Sequence, residues 1–213
     1  MSSPIVILGA GGHARVVADI CRSIGREVAG FLTPDVEPGT SIGALAVLGS
    51  DERLRDADFV AAHEFGLGIG DSPLRCELGR RVLDAGGALP ALVHERSVVA
   101  SDVDLGRGSV LMAGTVVNTG AELGAFVVVN TGATVDHDCH LGEGTHVGPG
   151  VHLAGAVRSG RIVQIGIGAS VVQGIALGDR AIVGAGATVI RDVESDTTVV
   201  GCPARPLARA TRA

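Results

Sequence analysis

The sequence predicts two parts, an α/β N-terminal unit with a half-Rossmann-like pattern followed by a parallel β-helix built from hexapeptide repeats. Three observations support this prediction. Short aliphatic runs alternate with glycine-rich turns and helical patterns before residue 90. Beyond it, an aliphatic residue recurs at nearly every sixth position as far as Val189. Aromatic residues make up only 2% of the 213 residues, so the core must consist of small aliphatic side chains at close, regular spacing.

Charge and apolar content exclude several classes of protein. The chain carries 23 acidic against 17 basic residues, so it lacks the electrostatic footprint of a protein that binds nucleic acid or an anionic membrane. No apolar run approaches the roughly 20 residues of a membrane span, and the N-terminus lacks the basic and apolar regions of a secretory signal. We therefore expect a cytoplasmic protein. The four cysteines form no C-x-x-C pair, which predicts free thiols.

Strand and helix patterns alternate in the first 90 residues. Ile5–Leu8 is an aliphatic strand, the glycine-rich stretch 9–12 is a turn, and apolar residues over 16–24 recur on one helical face. Further short strands are predicted over 27–32, 45–48, 58–62 and 65–69. Alternation of this kind is typical of a small parallel sheet with helices on its faces.

A second helix is predicted close to residue 72. Ser72 is placed to cap its N-terminus and Pro73 to occupy its first position. Leucine or valine then follows at four-residue spacing until Gly86 and Gly87 end the pattern. The α/β unit therefore extends over residues 1–90.

From Val93 onward the period is six. Sixteen of the 17 positions counted in sixes up to Val189 are Val, Leu or Ile, and glycine often follows them. This period predicts a β-helix over 91–195, in which three short strands complete a coil of about 18 residues. Residues 18 apart then stack about 4.8 Å apart, and aromatic rings do not fit so narrow an interior. Ser159 is the one polar break, where we expect a local distortion.

The glycine loop has a second interpretation. Gly9-x-Gly11-x-x-Ala14 fits a dinucleotide fingerprint, in which glycines let a phosphate approach a helix N-terminus. By itself this pattern is also compatible with NAD. However, about 90 residues hold only half of a Rossmann fold, and Phe31-Leu32-Thr33 at the end of the second strand contains no acid.

Both parts of the chain resemble one family, the bacterial sugar O- and N-acetyltransferases. It includes NeuD-like sialic-acid O-acetyltransferases and the UDP-4-amino-sugar N-acetyltransferases of the bacillosamine pathway. The runs that carry the resemblance are IVILGAGGHARVVAD at 5–19, GIGDSPLR at 68–75, NTGATVDHDCHLG at 130–142, THVGPGVHLAG at 145–155 and VVGCPAR at 199–205. The resemblance implies a left-handed β-helix, a homotrimer, and acetyl-CoA sites between subunits.

Asp136-His137-Asp138 places an imidazole between two carboxylates. Acetyl transfer needs a base that removes a proton as the nucleophile attacks a thioester, and histidine is suited to it. The resemblance implies that His137 is this base, that Asp138 raises its basicity, and that the Gly155 N–H stabilises the oxyanion. His137 and Gly155 are 18 residues apart, so they are expected to stack in neighbouring coils.

The acetyl-CoA site is also assigned by resemblance. The residues it implies are Asn130, His146, Gly155, Ile167, Ala185 and, in the C-terminal tail 196–213, Arg205. His146 lies nine residues, or half a coil, beyond His137. The two histidines are therefore expected to share a site only across a subunit boundary.

The sugar site is expected in the N-terminal unit. The residues implied are Gly9, Gly11, Gly12, His13, Thr33, Gly70 and Asp71. Thr33-Pro34 stands where the nucleotide-sugar branch of the family carries acids, which leaves a hydroxyl acceptor open.

The leading hypothesis is an acetyl-CoA-dependent enzyme that acetylates an amino or hydroxyl group of a sugar or nucleotide-sugar, such as a UDP-4-amino-4,6-dideoxy sugar, without a metal. A sialic-acid-type O-acetyltransferase is the nearest alternative. His140, His146 and His152 also recur every six residues, which suggests a metal-dependent β-helix hydratase. Six-residue spacing puts them on three faces of the prism, so one chain cannot converge them on one ion, and only a trimer could bring them together across subunits. A non-catalytic module that binds nucleotide-sugar is the third alternative.

Overall fold

The computed structural model describes residues 3–207, and the last six residues of the predicted tail lie outside that range. The N-terminal elements are β1 Ile5–Leu8, α1 Gly12–Ser23, β2 Val28–Leu32, β3 Ser41–Ile42, β4 Leu45–Gly49, a 3-10 helix Asp51–Arg55, α2 Ala57–Ala62, β5 Glu64–Leu67 and α3 Ser72–Asp84. They form one sheet of order β3-β4-β2-β1-β5, parallel except for β3. β1 lies inside this sheet, and all four of its residues are buried.

Two local predictions in this unit are wrong. Residues 58–62 belong to helix α2 and not to a strand, because the Asp56 carboxylate accepts a hydrogen bond from the Phe59 N–H at 3.1 Å and starts a turn of helix. Ser72 is the first residue of α3 and does not cap it. The cap is Asp71, whose Oδ1 accepts from the Leu74 N–H at 2.9 Å.

The hexapeptide region folds as the predicted left-handed parallel β-helix. Its strands are β6 Leu92–Val93, β7 Val98–Val99, β8 Asp104–Leu105, β9 Val110–Leu111, β10 Val116–Val117, β11 Glu122–Leu123, β12 Val128–Val129, β13 Thr134–Val135, β14 His140–Leu141, β15 His146–Val147, β16 His152–Leu153, β17 Arg158–Ser159, β18 Gln164–Ile165, β19 Ser170–Val171, β20 Ala176–Leu177, β21 Ile182–Val183, β22 Thr188–Val189, β23 Thr198–Val200 and β24 Arg205–Pro206.

From β6 to β22, each strand pairs in parallel with the third strand along the chain, which gives three faces with a register of 18 residues; at the end of one face β23 pairs with β21 and the antiparallel β24 pairs with β23. Val129, for example, pairs with Leu111 on one side and Val147 on the other. These inward side chains are fully buried and stack in one column. The chain therefore moves from one face to the next every six residues, and it completes a coil every 18 residues.

Ser159 does not distort the coil, contrary to the expectation. It pairs in register with Leu141 and Leu177. Its hydroxyl accepts a hydrogen bond from the Gly142 N–H at 3.1 Å and shares one with the Thr145 hydroxyl at 2.9 Å. A polar side chain is tolerated in this column because its hydrogen bonds are satisfied inside the coil.

The α/β unit packs on the β6-β9-β12 end of one β-helix face. Val110 and Val128 point outward from that face and are buried against the cluster that includes Val17 and Ile20 of α1. The later strands of the same face, from β15 on, are less covered, since Ile182 is 42% exposed. A step therefore forms between the α/β unit and the uncovered part of the face. Across residues 3–207, no helix has the length and apolar character needed to cross a membrane.

Candidate active site

A cavity of about 630 Å³ opens at the carboxyl end of the N-terminal sheet. The predicted sugar-site residues that line it are Gly9, Gly11, Gly12, His13, Thr33, Gly70 and Asp71. Ligands of open α/β sheets bind at this edge, where the loops after the strands meet. All seven predicted residues therefore converge on one space, although they come from three separate segments, which follow β1, β2 and β5.

The glycine loop has this shape because side chains are excluded from it. Gly9 has a φ of +95°, and a Cβ there would lie 2.8 Å from the Gly68 carbonyl oxygen. The loop leads into α1 with Gly11 as its N-cap, which offers no side chain to the first N–H groups of the helix. Those N–H groups face the cavity and can bind an anion.

An acid does follow the second strand, directly after the Thr33-Pro34 pair at which the resemblance led us to expect acids. Asp35 lines the cavity, and its backbone N–H donates to the Thr33 hydroxyl at 3.3 Å. The turn that brings Asp35 back to the cavity is a feature of the tertiary structure, and the sequence pattern does not predict it.

His13 stands at the inner end of this cavity. Its Nε2 is buried and has no hydrogen-bond partner among the described residues. Its ring centroid lies 6.0 Å from that of His146. Burial, helped by His146 and Arg75, lowers the pKa of His13 to about 4, so the ring is neutral at pH 7.

A second groove, of about 420 Å³, runs along the uncovered part of the β-helix face. The predicted cofactor residues His146, Ile167 and Ala185 line it. Among the described residues, neither the Ile167 N–H nor the Ala185 N–H has a hydrogen-bond acceptor. These corner N–H groups can therefore pair with the amide carbonyls of an extended ligand. An alanine at 185 keeps this backbone donor.

His146 is held between two partners. Its Nδ1 lies 3.2 Å from the Gly70 carbonyl oxygen and its Nε2 lies 3.3 Å from the Asn130 amide nitrogen. Since a carbonyl accepts and an amide NH₂ donates, the proton belongs on Nδ1. Burial and then the Arg75 charge lower the pKa of His146, which favours this neutral form. Gly70 lines both the cavity and the groove, so the two spaces meet there.

Arg75 of α3 is a second residue of the site that the sequence analysis does not identify, although it ends the run GIGDSPLR at 68–75. It is completely buried, and its guanidinium donates to the carbonyls of Ile69, Gly70, Phe126 and Gly144 and to the Ser72 hydroxyl. A lone arginine in a helical pattern has no sequence signal that distinguishes it from a surface charge.

His137 lies at an exposed corner between β13 and β14. Its Nδ1 is 2.8 Å from Asp138 Oδ2, and its backbone N–H donates to Asp136 Oδ1 at 2.8 Å. The hydrogen bond with Asp138 raises the pKa of His137, with smaller contributions from the charges of the two aspartates. Gly120 is needed beside it, because a Cβ there would lie 2.7 Å from the Asp138 carboxylate. Within residues 3–207, Nε2 of His137 has no hydrogen-bond partner, so it can face a substrate.

Gly155 contacts the His137 ring, as the 18-residue spacing predicts. A Cβ on Gly155 would lie 2.5 Å from His137 Cε1 and 2.6 Å from Nε2. The Gly155 N–H has no acceptor among residues 3–207. A proton acceptor and a free backbone donor thus stand side by side.

Other predicted residues are not brought to this point within one chain. Neither His137 nor Gly155 lines the groove that holds His146. Arg205 is exposed on β24, and its guanidinium donates to the Ala204 carbonyl. His140 and His152 lie on the other two faces and contact Glu122 and Thr134 respectively. Residues 3–207 contain no group of three or more His, Cys, Asp or Glu side chains placed to hold a metal ion.

Several known proteins are similar to this chain in both sequence and architecture. Residues 4–82 match the family model of the PglD N-terminal domain. The acetyltransferase domain of PglB from Neisseria gonorrhoeae FA1090, solved with acetyl coenzyme A, is 35% identical, with a TM-score of 0.92 over 97% of this chain and 100% of that one. PerB from Caulobacter crescentus, solved with CoA and GDP-perosamine, is 38% identical, with a TM-score of 0.91 over 96% and 97%.

A variant of the GDP-perosamine N-acetyl transferase from Caulobacter crescentus, with one histidine replaced by alanine, is similar to the same degree. It is 38% identical, with a TM-score of 0.92 over 96% of this chain and 97% of that one, and it was also solved with CoA and GDP-perosamine. The identities and the nearly complete coverage in both directions show the family: the chain belongs to the bacterial sugar acetyltransferases of the PglD and NeuD type.

Proposed function

We propose that this enzyme transfers the acetyl group of acetyl-CoA to the amino group of a nucleotide-linked amino sugar. The observation that supports the proposal most strongly is the junction at Gly70, where a sheet-edge cavity meets a groove lined by His146. PerB, which has the same architecture, is solved with CoA and GDP-perosamine, a nucleotide-linked amino sugar.

In this proposal the nucleotide-sugar occupies the N-terminal cavity. Its phosphates lie at the loop 9–12 and the N-terminus of α1, where backbone N–H groups and the helix dipole favour negative charge. Asp35, Asp71 and the Thr33 hydroxyl supply acceptors and a donor for base and ribose. The neutral His13 then faces the sugar end, towards the groove.

Acetyl-CoA supplies a thioester whose carbonyl carbon is open to attack. The free N–H groups of Ile167 and Ala185 fit the amide carbonyls of its pantetheine arm, and His146, which Asn130 contacts, lines the same groove. Arg205, exposed on the C-terminal hairpin, is available to a phosphate of CoA.

For catalysis, His137 Nε2 accepts a proton from the acceptor amine as the amine nitrogen forms its bond to the carbonyl carbon. The Gly155 N–H donates to the carbonyl oxygen as that oxygen gains negative charge. The carbon–sulfur bond then breaks, and the imidazolium returns the proton to the leaving thiolate. Asp138 holds Nδ1–H and stabilises the imidazolium in between.

The proposal requires an oligomer. His137 lies outside the groove of its own chain, so the base of one subunit must serve the groove of its neighbour in a homotrimer. Static light scattering should give three chains per particle. An active monomer would contradict the assignment of His137 to a shared site.

The acceptor can be tested by thiol release from acetyl-CoA in the presence of GDP- and UDP-linked 4-amino sugars and of sialic acid. We expect turnover with a nucleotide-linked amine and none with sialic acid. His137→Ala should lower kcat at least about a hundredfold while CoA binding stays within a few-fold, because only the proton acceptor is removed. Near-normal turnover of this variant would remove His137 as the base, and turnover with sialic acid alone would favour the O-acetyltransferase.

A further inference from the structure

Gly70 forms the wall between the cavity and the groove, and its carbonyl oxygen is the atom that neighbouring side chains hold. The Gly70 oxygen accepts hydrogen bonds from Arg75 Nη1 at 3.0 Å and from His146 Nδ1 at 3.2 Å. Gly70 lines both spaces, and a Cβ there would meet nothing within 4 Å, so the side of the residue away from its neighbours is open. The two donors therefore hold the Gly70 carbonyl between α3 and the β-helix.

Arg75 is built to hold this position. All five of its N–H donors are used, at distances of 2.9 to 3.1 Å, and none goes to a carboxylate. Two of the bonds hold the Ile69 and Gly70 carbonyls, and two others reach the Phe126 and Gly144 carbonyls of the β-helix. One planar group thus fixes the loop after β5 relative to two successive coils.

We infer that Arg75 is a positioning residue for both substrates: it sets the Gly70 wall and, through the Gly70 carbonyl, the ring of His146. The inference rests on the proposed function, since it assigns the two spaces to the nucleotide-sugar and to CoA. Arg75 itself is buried and touches neither ligand.

Lysine cannot replace this arginine. An ammonium group has three donors around one point, whereas the five acceptors here surround a planar fork. Arg75→Lys keeps the charge and loses at least two of the five bonds. The Gly70 loop is then free to shift, and the affinity for both ligands should fall by about tenfold, the effect of one hydrogen bond to a charged donor.

The matched control lies on the same helix. Arg80 also connects α3 to the β-helix, through an ion pair with Glu143, but within residues 3–207 no hydrogen bond of its side chain reaches Ile69 or Gly70. Arg80→Gln removes a tie between the two parts of the chain without touching the wall. It should leave both affinities within about twofold, as exposed ion pairs contribute little.

The experiment is titration calorimetry of the full chain with CoA alone and with GDP and UDP alone, together with KM for each substrate and thermal unfolding. Arg75→Lys should lower the affinity for both ligands and raise both KM values. These changes should exceed any change in Arg80→Gln, with each variant measured at a temperature at which it is folded. Ser72→Ala, which removes only one partner of the guanidinium, should give a smaller change in the same direction and stands in if Arg75→Lys does not fold.

If Arg75 had only a structural role, Arg75→Lys would lower the unfolding temperature and leave both affinities unchanged. That result would overturn the inference. Loss of only one affinity would overturn it too, because the wall is shared. If the unmodified protein bound neither CoA nor a nucleotide, the proposed function would be the part that failed.

Discussion

Adding one methyl group at Gly155 tests the placement of the catalytic base without removing it. The new Cβ would lie 2.5 Å from His137 Cε1, where ordinary contact begins at about 3.4 Å, so the ring must move by roughly 1 Å. His137 has an exposed side chain, so it can swing outward at little cost in stability. A misplacement of about 1 Å at the reacting group can reduce turnover about a hundredfold.

The backbone itself accepts the change. Gly155 occupies the position within its hexapeptide that Ala113, Ala125 and Ala185 occupy in other hexapeptides, and its φ is not in the left-handed region. The N–H donor also remains. The expected result for Gly155→Ala is therefore a low kcat with KM for acetyl-CoA within about threefold of the unmodified enzyme, since the misplaced ring affects only the transition state.

The assay is thiol release in the single variants and in Gly155→Ala combined with His137→Ala. Because both changes act on the same proton transfer, the double variant should be no slower than His137→Ala alone. Additive losses would mean that Gly155 acts independently of the ring, and an unchanged kcat in Gly155→Ala would refute the stacked arrangement as the catalytic one.

Three further predictions concern titration and packing. Asp138→Asn replaces the carboxylate whose hydrogen bond chiefly raises the pKa of His137 with a neutral acceptor. Because the base must be neutral to act, the acid limb of the kcat/KM profile should shift to lower pH, and an unmoved limb would show that Asp138 does not act on the base. The pKa of His13 is lowered from 6.5 to about 4 in the folded chain, so as the pH falls the unfolded chain takes up a proton on this residue before the folded chain does. Stability that is present above pH 6.5 is therefore lost as the pH falls towards 4. The free energy of unfolding in urea should be measured at pH 7 and at pH 4. Between these two values it should fall by about 3 kcal/mol less in His13→Gln than in the unmodified chain, and equal decreases would contradict the burial argument. Gly79→Ala should destabilise by about 1–3 kcal/mol despite the better helix propensity of alanine, because the Cβ would lie 2.6 Å from the ring of Phe126, which is 2% exposed; a higher unfolding temperature would show that the ring can move.

Local signals in the sequence failed where two short-range rules compete. The run 58–62 is apolar enough for a strand, but the carboxylate of Asp56 starts a helix there. Ser72 and Asp71 are adjacent and both are good caps, and Asp71 takes the role while Ser72 is buried against Arg75. Ser159 needed a partner that lies 14 residues away, at Thr145.

The six-residue period by itself determined the β-helix, its inward columns and the contact between His137 and Gly155, because stacking at a fixed register turns sequence distance directly into spatial distance. It also accounts for the scarcity of aromatic residues. Only the tertiary structure decided how the α/β unit meets the coil. The Gly70 junction, the return of Asp35 to the cavity and the five bonds of Arg75 join segments up to 76 residues apart with no common period. Such contacts depend on how two separately packed surfaces dock, and no local pattern of residues encodes that docking.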